Sequence, residues 1–117
     1  MLVKLMKSKL HRATVTDTKL HYSGSMAVDA DLMKQAGIVP YESVIVADLN
    51  NGNRLETYVI EAPAGSGDII ILGAAAQLIK AGDTVIIFSF GFFTPEEAQT
   101  HKPKVLVLGE NNKVKTA

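Results

Sequence analysis

The stretch Ser43-Val44-Ile45-Val46-Ala47-Asp48, followed by Asn50-Asn51-Gly52-Asn53 and Arg54-Leu55-Glu56-Thr57-Tyr58-Val59-Ile60, decides the class of this fold. Two runs rich in β-branched and aromatic residues flank an Asn-Gly turn, the pattern of a β-hairpin. Outward from it, further strand-length segments follow. Leu2 to His11 alternates imperfectly, with Leu2, Lys4, Met6 and Ser8 on one face and Val3, Leu5, Lys7 and Lys9 on the other. Arg12 to Thr16 continues it after a bend. Ser25 to Val28, Asp68 to Leu72, Thr84 to Phe90 and Lys104 to Leu108 complete the set.

Helical signals are short. Asp29 or Asp31 caps a segment through Leu32, Met33 and Ala36, with Gly37 as its stop. Ala74 to Lys80 suits a brief helix ending at Gly82. Thr94-Pro95-Glu96-Glu97 has a cap residue, a first-turn proline and a glutamate three positions on. About seven short strands joined by brief helices predict a compact β-barrel with crossovers rather than a sandwich. The polar residues Glu110 to Ala117 read as a loose tail.

The chain has 117 residues, which suits one domain with its own core. It has no cysteine, which removes disulfides, thiol catalysis and Cys-based zinc sites and fits a reducing cytoplasm. Twelve basic and twelve acidic side chains cancel, so the electrostatic footprint of a nucleic-acid binder is missing. Lysines interrupt the apolar residues of Met1 to Lys7, unlike a signal peptide. No apolar run approaches the ~18–20 residues that span a bilayer. The chain reads as soluble and cytoplasmic, without membrane or nucleic-acid partners.

The chemistry centres on His21-Tyr22-Ser23-Gly24-Ser25. A glycine carbonyl precedes a serine hydroxyl, and glycine can take φ > 0. A bend at Gly24 would bring the Ser25 oxygen onto the Gly24 carbonyl carbon. Attack moves the acyl group from nitrogen to oxygen, and β-elimination then breaks the ester. The new N-terminus is a dehydroalanine, which hydrolyses to a pyruvoyl group. That ketone forms a Schiff base with an amine and serves as an electron sink. By itself Gly-Ser is ordinarily a turn, and Gly65-Ser66-Gly67 reads as a flexible loop between strands.

The junction does not stand alone. Lys9-Leu10-His11-Arg12, His21 to Ser25, Asn51-Gly52 with Arg54 and Thr57-Tyr58, Gly73-Ala74-Ala75-Ala76 and Gly82-Asp83 occur in this order. In that order and spacing the chain resembles the bacterial aspartate 1-decarboxylase family, from Met1 to about Pro103. The resemblance implies a six-stranded double-psi β-barrel, assembled as a homotetramer with active sites between neighbouring subunits. It implies a single barrel domain over 1–117, cut between Gly24 and Ser25 into a β chain, 1–24, and an α chain, 25–117. The implied reaction is pyruvoyl-dependent conversion of L-aspartate to β-alanine and CO2, supplying pantothenate and coenzyme A. Neither a metal nor pyridoxal phosphate is implied, and a maturation helper protein stays open.

By the same resemblance, Ser25 becomes the pyruvoyl group and Tyr58 returns a proton after CO2 leaves. Tyr58 is otherwise a strand tyrosine half buried in a sheet. Arg54 offers a planar fork for a carboxylate, or is a solvated charge beside a turn. Lys9 is a second candidate for substrate charge, or polar surface on an edge strand. Thr57 would hydrogen-bond the oxyanion of self-cleavage and then the substrate, or simply favours a strand. Gly73, Ala74 and Ala75 would receive a carboxylate on backbone N–H groups, or serve close helix–strand packing. His11, Tyr22, Leu72 and Ala76 are candidates for a supporting shell. The family pattern has asparagine where this chain has Leu72, whose side chain can make no hydrogen bond, so slower maturation is an expectation. His11, His21 and His101 match no metal spacing. Two other readings compete: a pyruvoyl decarboxylase for another amino acid, and a small non-enzymatic β-barrel binding module.

Overall fold

The computed structural model describes residues 1–116 and is mainly β. Among these, β1 (Val3–Thr14), β2 (Asp17–Lys19), β3 (Ser25–Asp29), α1 (Ala30–Ala36), β4 (Ser43–Asp48) and β5 (Arg54–Ala62) come first. Then follow β6 (Ile69–Leu72), β7 (Thr84–Phe93), α2 (Pro95–Thr100), β8 (Lys104–Leu108) and β9 (Val114–Thr116). Short 3-10 turns occupy Gly73–Gln77 and Glu110–Asn112.

The expected hairpin is β4–β5, antiparallel with Ser43 opposite Tyr58 and Ala47 opposite Arg54. Gly52, at φ 78°, closes its turn by donating to the Asp48 carbonyl. The bend foreseen after His11 is a bulge rather than a break. Arg12 has φ 62° and the β1–β7 register shifts between Leu10 and Ala13, so Leu2–His11 and Arg12–Thr16 form one strand. The sequence pattern misses β2 and β9, which at three residues each are too short to carry a period.

The strand order is β2-β6-β3-β5-β4-β7-β1-β8-β9. Three neighbouring pairs, β2–β6, β3–β5 and β1–β8, are parallel, which requires crossovers. β1 and β2 stand near opposite ends of that order, yet only Val15 and Thr16 connect them. The sheet must therefore curl strongly. It wraps one core in which Leu10 (β1), Met26 (β3), Val46 (β4), Val59 (β5), Ile71 (β6), Ile87 (β7) and Leu106 (β8) are all buried.

The caps are as the sequence predicts. The Asp29 carboxylate accepts from Asp31 N–H at 2.8 Å, and Gly37 ends α1 at φ 72°. Thr94 and Glu97 form a capping box on α2. The segment expected as a helix from Ala74 to Lys80 is a 3-10 turn instead, starting at Gly73 and ending at Gln77. The tail is not loose. Buried Asn112 bonds both the N–H and the C=O of Thr14 and the Gly67 carbonyl, and β9 pairs with β8. Ala117 lies outside the described residues. Among those described, no helix is long and apolar enough to cross a membrane.

One turn departs from the rules. Glu42 N–H donates to the Val39 carbonyl, closing Val39-Pro40-Tyr41-Glu42 with Tyr41 at φ 70°. Proline second and φ > 0 third is the type II arrangement, whose third position favours glycine or asparagine. A tyrosine held there costs on the order of 1–3 kcal/mol.

Candidate active site

Ser25 opens β3 and is buried, with 4% of its surface exposed. It sits opposite Leu72 at the end of the antiparallel β3–β6 pair. On its other side β3 runs parallel to β5, but that pairing starts only at Met26 opposite Val59. Residues 54–58 of β5 therefore have β4 on one side and no strand on the other. Into that vacancy opens a cleft of about 420 Å³, lined by Gly24, Ser25, Leu55 to Tyr58, Leu72, Ala74, Ala75 and Leu78.

The vacant edge explains why consecutive β5 residues all reach the cleft. Val59 exchanges both of its main-chain hydrogen bonds with the chain leading into β4, at Tyr41 and Glu42. Main-chain groups alternate in direction along a strand. Those of Glu56 and Tyr58 accordingly point away from β4, towards the cleft. Tyr58 is 40% exposed, and its ring lies 6.4 Å from that of Tyr41. Such an aromatic pair contributes about 0.5–1.5 kcal/mol beyond simple burial. The Glu56 carboxylate accepts from the Ser43 hydroxyl at 2.8 Å.

The opposite wall is the 3-10 turn after β6. Gly73 takes φ 77° and presses its backbone against the Tyr22–Gly24 segment, a closeness that only a hydrogen side chain permits. Gly24 does not use the left-handed region open to a glycine. The positive-φ glycine at this junction is Gly73, across from it. Ala74 and Ala75 line the cleft, Ala75 packing also against the core in which Ala76 is buried.

Leu78, on the rim, is held from behind. Its carbonyl accepts from the Asn51 side-chain amide at 3.0 Å and from that of Asn53 at 2.9 Å. The same hairpin tip holds Asp48, whose Oδ2 is buried and has no donor. Burial, then the hydrogen bond to Asp83, raises the Asp48 carboxyl above its ordinary value. Asp83 is lowered, first by that hydrogen bond and then by Lys80 N–H. A proton on Asp48 donated to Asp83 satisfies the otherwise orphaned oxygen.

Asp29 ties a neighbouring loop. Burial pushes its carboxyl up, but N–H donors from Gly67, Gly65, Asp31 and Leu32 outweigh that and hold it below the ordinary value.

The cleft thus gathers Gly24, Ser25, Thr57, Tyr58, Leu72, Ala74 and Ala75, with Gly73 behind them. It does not include Lys9 or Arg54 of the same chain. Lys9 pairs with Phe88 on the β1–β7 ladder, and the Arg54 guanidinium lies 5.4 Å from the Phe88 ring centre. His11 is half-buried, and its Nδ1 has no hydrogen-bond partner among the described residues. Tyr22 is exposed beside a second depression shared with Ala27, Ile60 and Leu72. His21 is exposed, and His101 packs on the Phe93 ring with Nε2 2.8 Å from the Met6 carbonyl oxygen. Leu55, Glu56 and Leu78 were not foreseen as lining residues. The adjacency of Leu55 and Glu56 to Thr57 was the one available signal.

Among the described residues, no lysine, arginine or histidine lines the cleft. Its groups are a hydroxyl pair, a phenol, a carboxylate and main-chain amides, facing a Gly-Ser peptide bond.

Comparison with known proteins identifies the family. The family described as aspartate decarboxylase matches residues 1–115. An aspartate 1-decarboxylase of Acetivibrio thermocellus is 54% identical over 114 residues, covering 97% of this chain and 90% of that protein. One of Thermoanaerobacter pseudethanolicus is 52% identical, covering 93% of each. One of Phenylobacterium zucineum is 50% identical, covering all of this chain and 99% of its own.

Proposed function

The chain belongs to the aspartate decarboxylase family, and from that membership we propose a self-processing enzyme that converts L-aspartate to β-alanine and CO2. The family is pyruvoyl-dependent, and its product feeds pantothenate and coenzyme A synthesis. The observation that carries the reading here is the vacant edge of β5, which sets Thr57 and Tyr58 beside the Gly24–Ser25 bond in one cleft.

The residues present fit such a group. Ser25 lies at the buried end of β3, and the methyl side chains of Ala74 and Ala75 leave room across from it. In the precursor, Thr57, which lines the same cleft as Gly24 and Ser25, supplies the hydroxyl that stabilises charge on the Gly24 carbonyl as Ser25 attacks. Cleavage leaves chains 1–24 and 25–117. A pyruvoyl group at residue 25 would supply a carbonyl for the substrate amine and an acceptor for the electron pair left on the carbon as CO2 departs.

The protein's own groups do the rest. Tyr58 delivers a proton to the carbon that lost CO2. The main chain of Gly73 to Ala75, with Thr57, orients the substrate. Arg54 and Lys9 hold the carboxylate that stays. Because no cationic side chain lines the cleft of a single chain, these two are supplied by a neighbouring copy, as in the expected homotetramer. His11, beside Lys9 on β1, travels with them. Leu72 places an apolar side chain where a hydrogen-bonding one would assist cleavage, so maturation is slow.

The curled sheet, its parallel pairs and the two-residue link between β1 and β2 support a barrel of the double-psi kind, although the sheet of the described residues has nine strands, and seven without the three-residue β2 and β9, rather than the expected six. The cell compartment that suits this chemistry is the cytoplasm.

Intact mass spectrometry tests the reading. Two fragments meeting at Gly24/Ser25 are expected, the larger lacking its terminal amine nitrogen, together with β-alanine production. Ser25→Ala should remain a folded, uncut and inactive chain. An active preparation whose mass is that of one unmodified chain would sink the proposal.

A further inference from the structure

We propose that Tyr41 is a positioning residue for Tyr58, holding the phenol over the Ser25 cleft; this rests on the proton-donor role proposed above for Tyr58. The observation is a tyrosine where the backbone asks for something else. The turn Val39 to Glu42 has proline second and Tyr41 third, at φ 70°. Glycine or asparagine relieves that conformation. Within a single chain Tyr41 is not kept there by burial, since 76% of its surface is exposed. Its aromatic partner is Tyr58, at 6.4 Å between ring centres and 35° between planes.

The backbone makes the placement rigid. Tyr41 N–H donates to the Val59 carbonyl at 2.7 Å, and Val59 N–H donates to the Glu42 carbonyl at 3.1 Å. Tyr41 is therefore tied to the residue following Tyr58, at the point where β5 gains β3 as its second neighbour. A half-exposed tyrosine on a strand has alternative staggered side-chain positions. The Tyr41 ring, 6.4 Å away, is the aromatic neighbour that favours the observed one. A one-ångström displacement of a proton donor is enough to slow a reaction severely. Strained backbone conformations cluster at active sites, where the surrounding structure holds them.

The test uses the matured enzyme with four substitutions. Tyr41→Asn removes the ring and relaxes the backbone, so its melting temperature should equal or exceed the parent's. Its kcat should fall about two- to tenfold, with KM for aspartate little changed. Tyr41→Gly serves as the second ring-free variant and should behave alike. Tyr41→Phe keeps the ring and should retain the parent's kcat. In a Tyr58→Phe background, Tyr41→Asn should cost nothing further, because the group it positions is gone. Undiminished kcat in Tyr41→Asn, beside a slowed Tyr58→Phe, overturns the inference alone. Equal losses from Tyr41→Asn with and without the Tyr58 hydroxyl overturn it too. An undiminished Tyr58→Phe overturns the proton-donor role and this inference with it.

Discussion

Gly73 and Gly24 stand backbone to backbone: a Cβ on Gly73 would lie 2.8 Å from the Gly24 Cα and 3.0 Å from its nitrogen. The Tyr22 carbonyl oxygen, at 2.8 Å, closes the same space. The wall of the cleft and the reactive junction are thus one packed unit, and glycine at 73 is its shared condition.

Gly73→Ala should damage the junction specifically. Its φ of 77° strains alanine, and the clashing atoms are main chain, which cannot rotate away. A loss of about 1–3 kcal/mol in stability is expected, with cleavage slowed or abolished. Gly24→Ala is the control, because nothing lies within 4 Å of a Cβ there. Its melting temperature should be close to the parent's. Thermal melts and a denaturing gel read both; a Gly73→Ala chain that melts and cuts normally would refute the shared-unit argument.

Arg54 and Ser25 should act from different copies. Arg54→Ala is expected to cut itself but to use aspartate poorly, raising KM. Ser25→Ala is expected to be inactive alone. Co-assembled in equal amounts, the two should recover activity at about a quarter of the sites, where intact halves meet. No recovery in verified mixed oligomers would place Arg54 outside the neighbour's site.

Stability should peak in a mildly acidic band. Asp48 is raised, so its stabilisation is full below the ordinary carboxylate pKa and is lost as pH rises through its raised value. Asp83 and Asp29 are lowered, so theirs is present above the ordinary carboxylate pKa and lost as pH falls through their lowered values. Asp48→Asn, whose amide donates to Asp83 at every pH, should flatten the decline on the alkaline side and leave the acid limb. Melting temperatures between about pH 4 and about pH 8 decide it. An alkaline decline as steep as the parent's would exclude the shared proton.

Much of the local structure was legible because its causes are local. Asn50 to Asn53 form the turn their chemistry demands, Asp29 and Gly37 bound α1, and Thr94 and Glu97 close a capping box. The failures have the opposite character. Asn112 looked like part of a polar tail, but its partners are Thr14 and Gly67, far away in the chain. Gly24 is able to take a left-handed backbone, yet the glycine that does so at this junction is Gly73. The strain at Tyr41 was invisible because its turn partner, Pro40, suits many turns, and its ring partner, Tyr58, is 17 positions on.

By itself the chain's sequence determined a mainly β domain, the hairpin, the caps and a glycine–serine bond chemically able to break. Those follow from residue type and short-range spacing. Tertiary structure alone decided that β3 joins β5 one residue too late to cover Tyr58, leaving an open edge at the reactive bond. It alone carried Lys9 and Arg54 away from that cleft. Strand register is a sum of many weak contacts between distant segments, and no single stretch of sequence contains it.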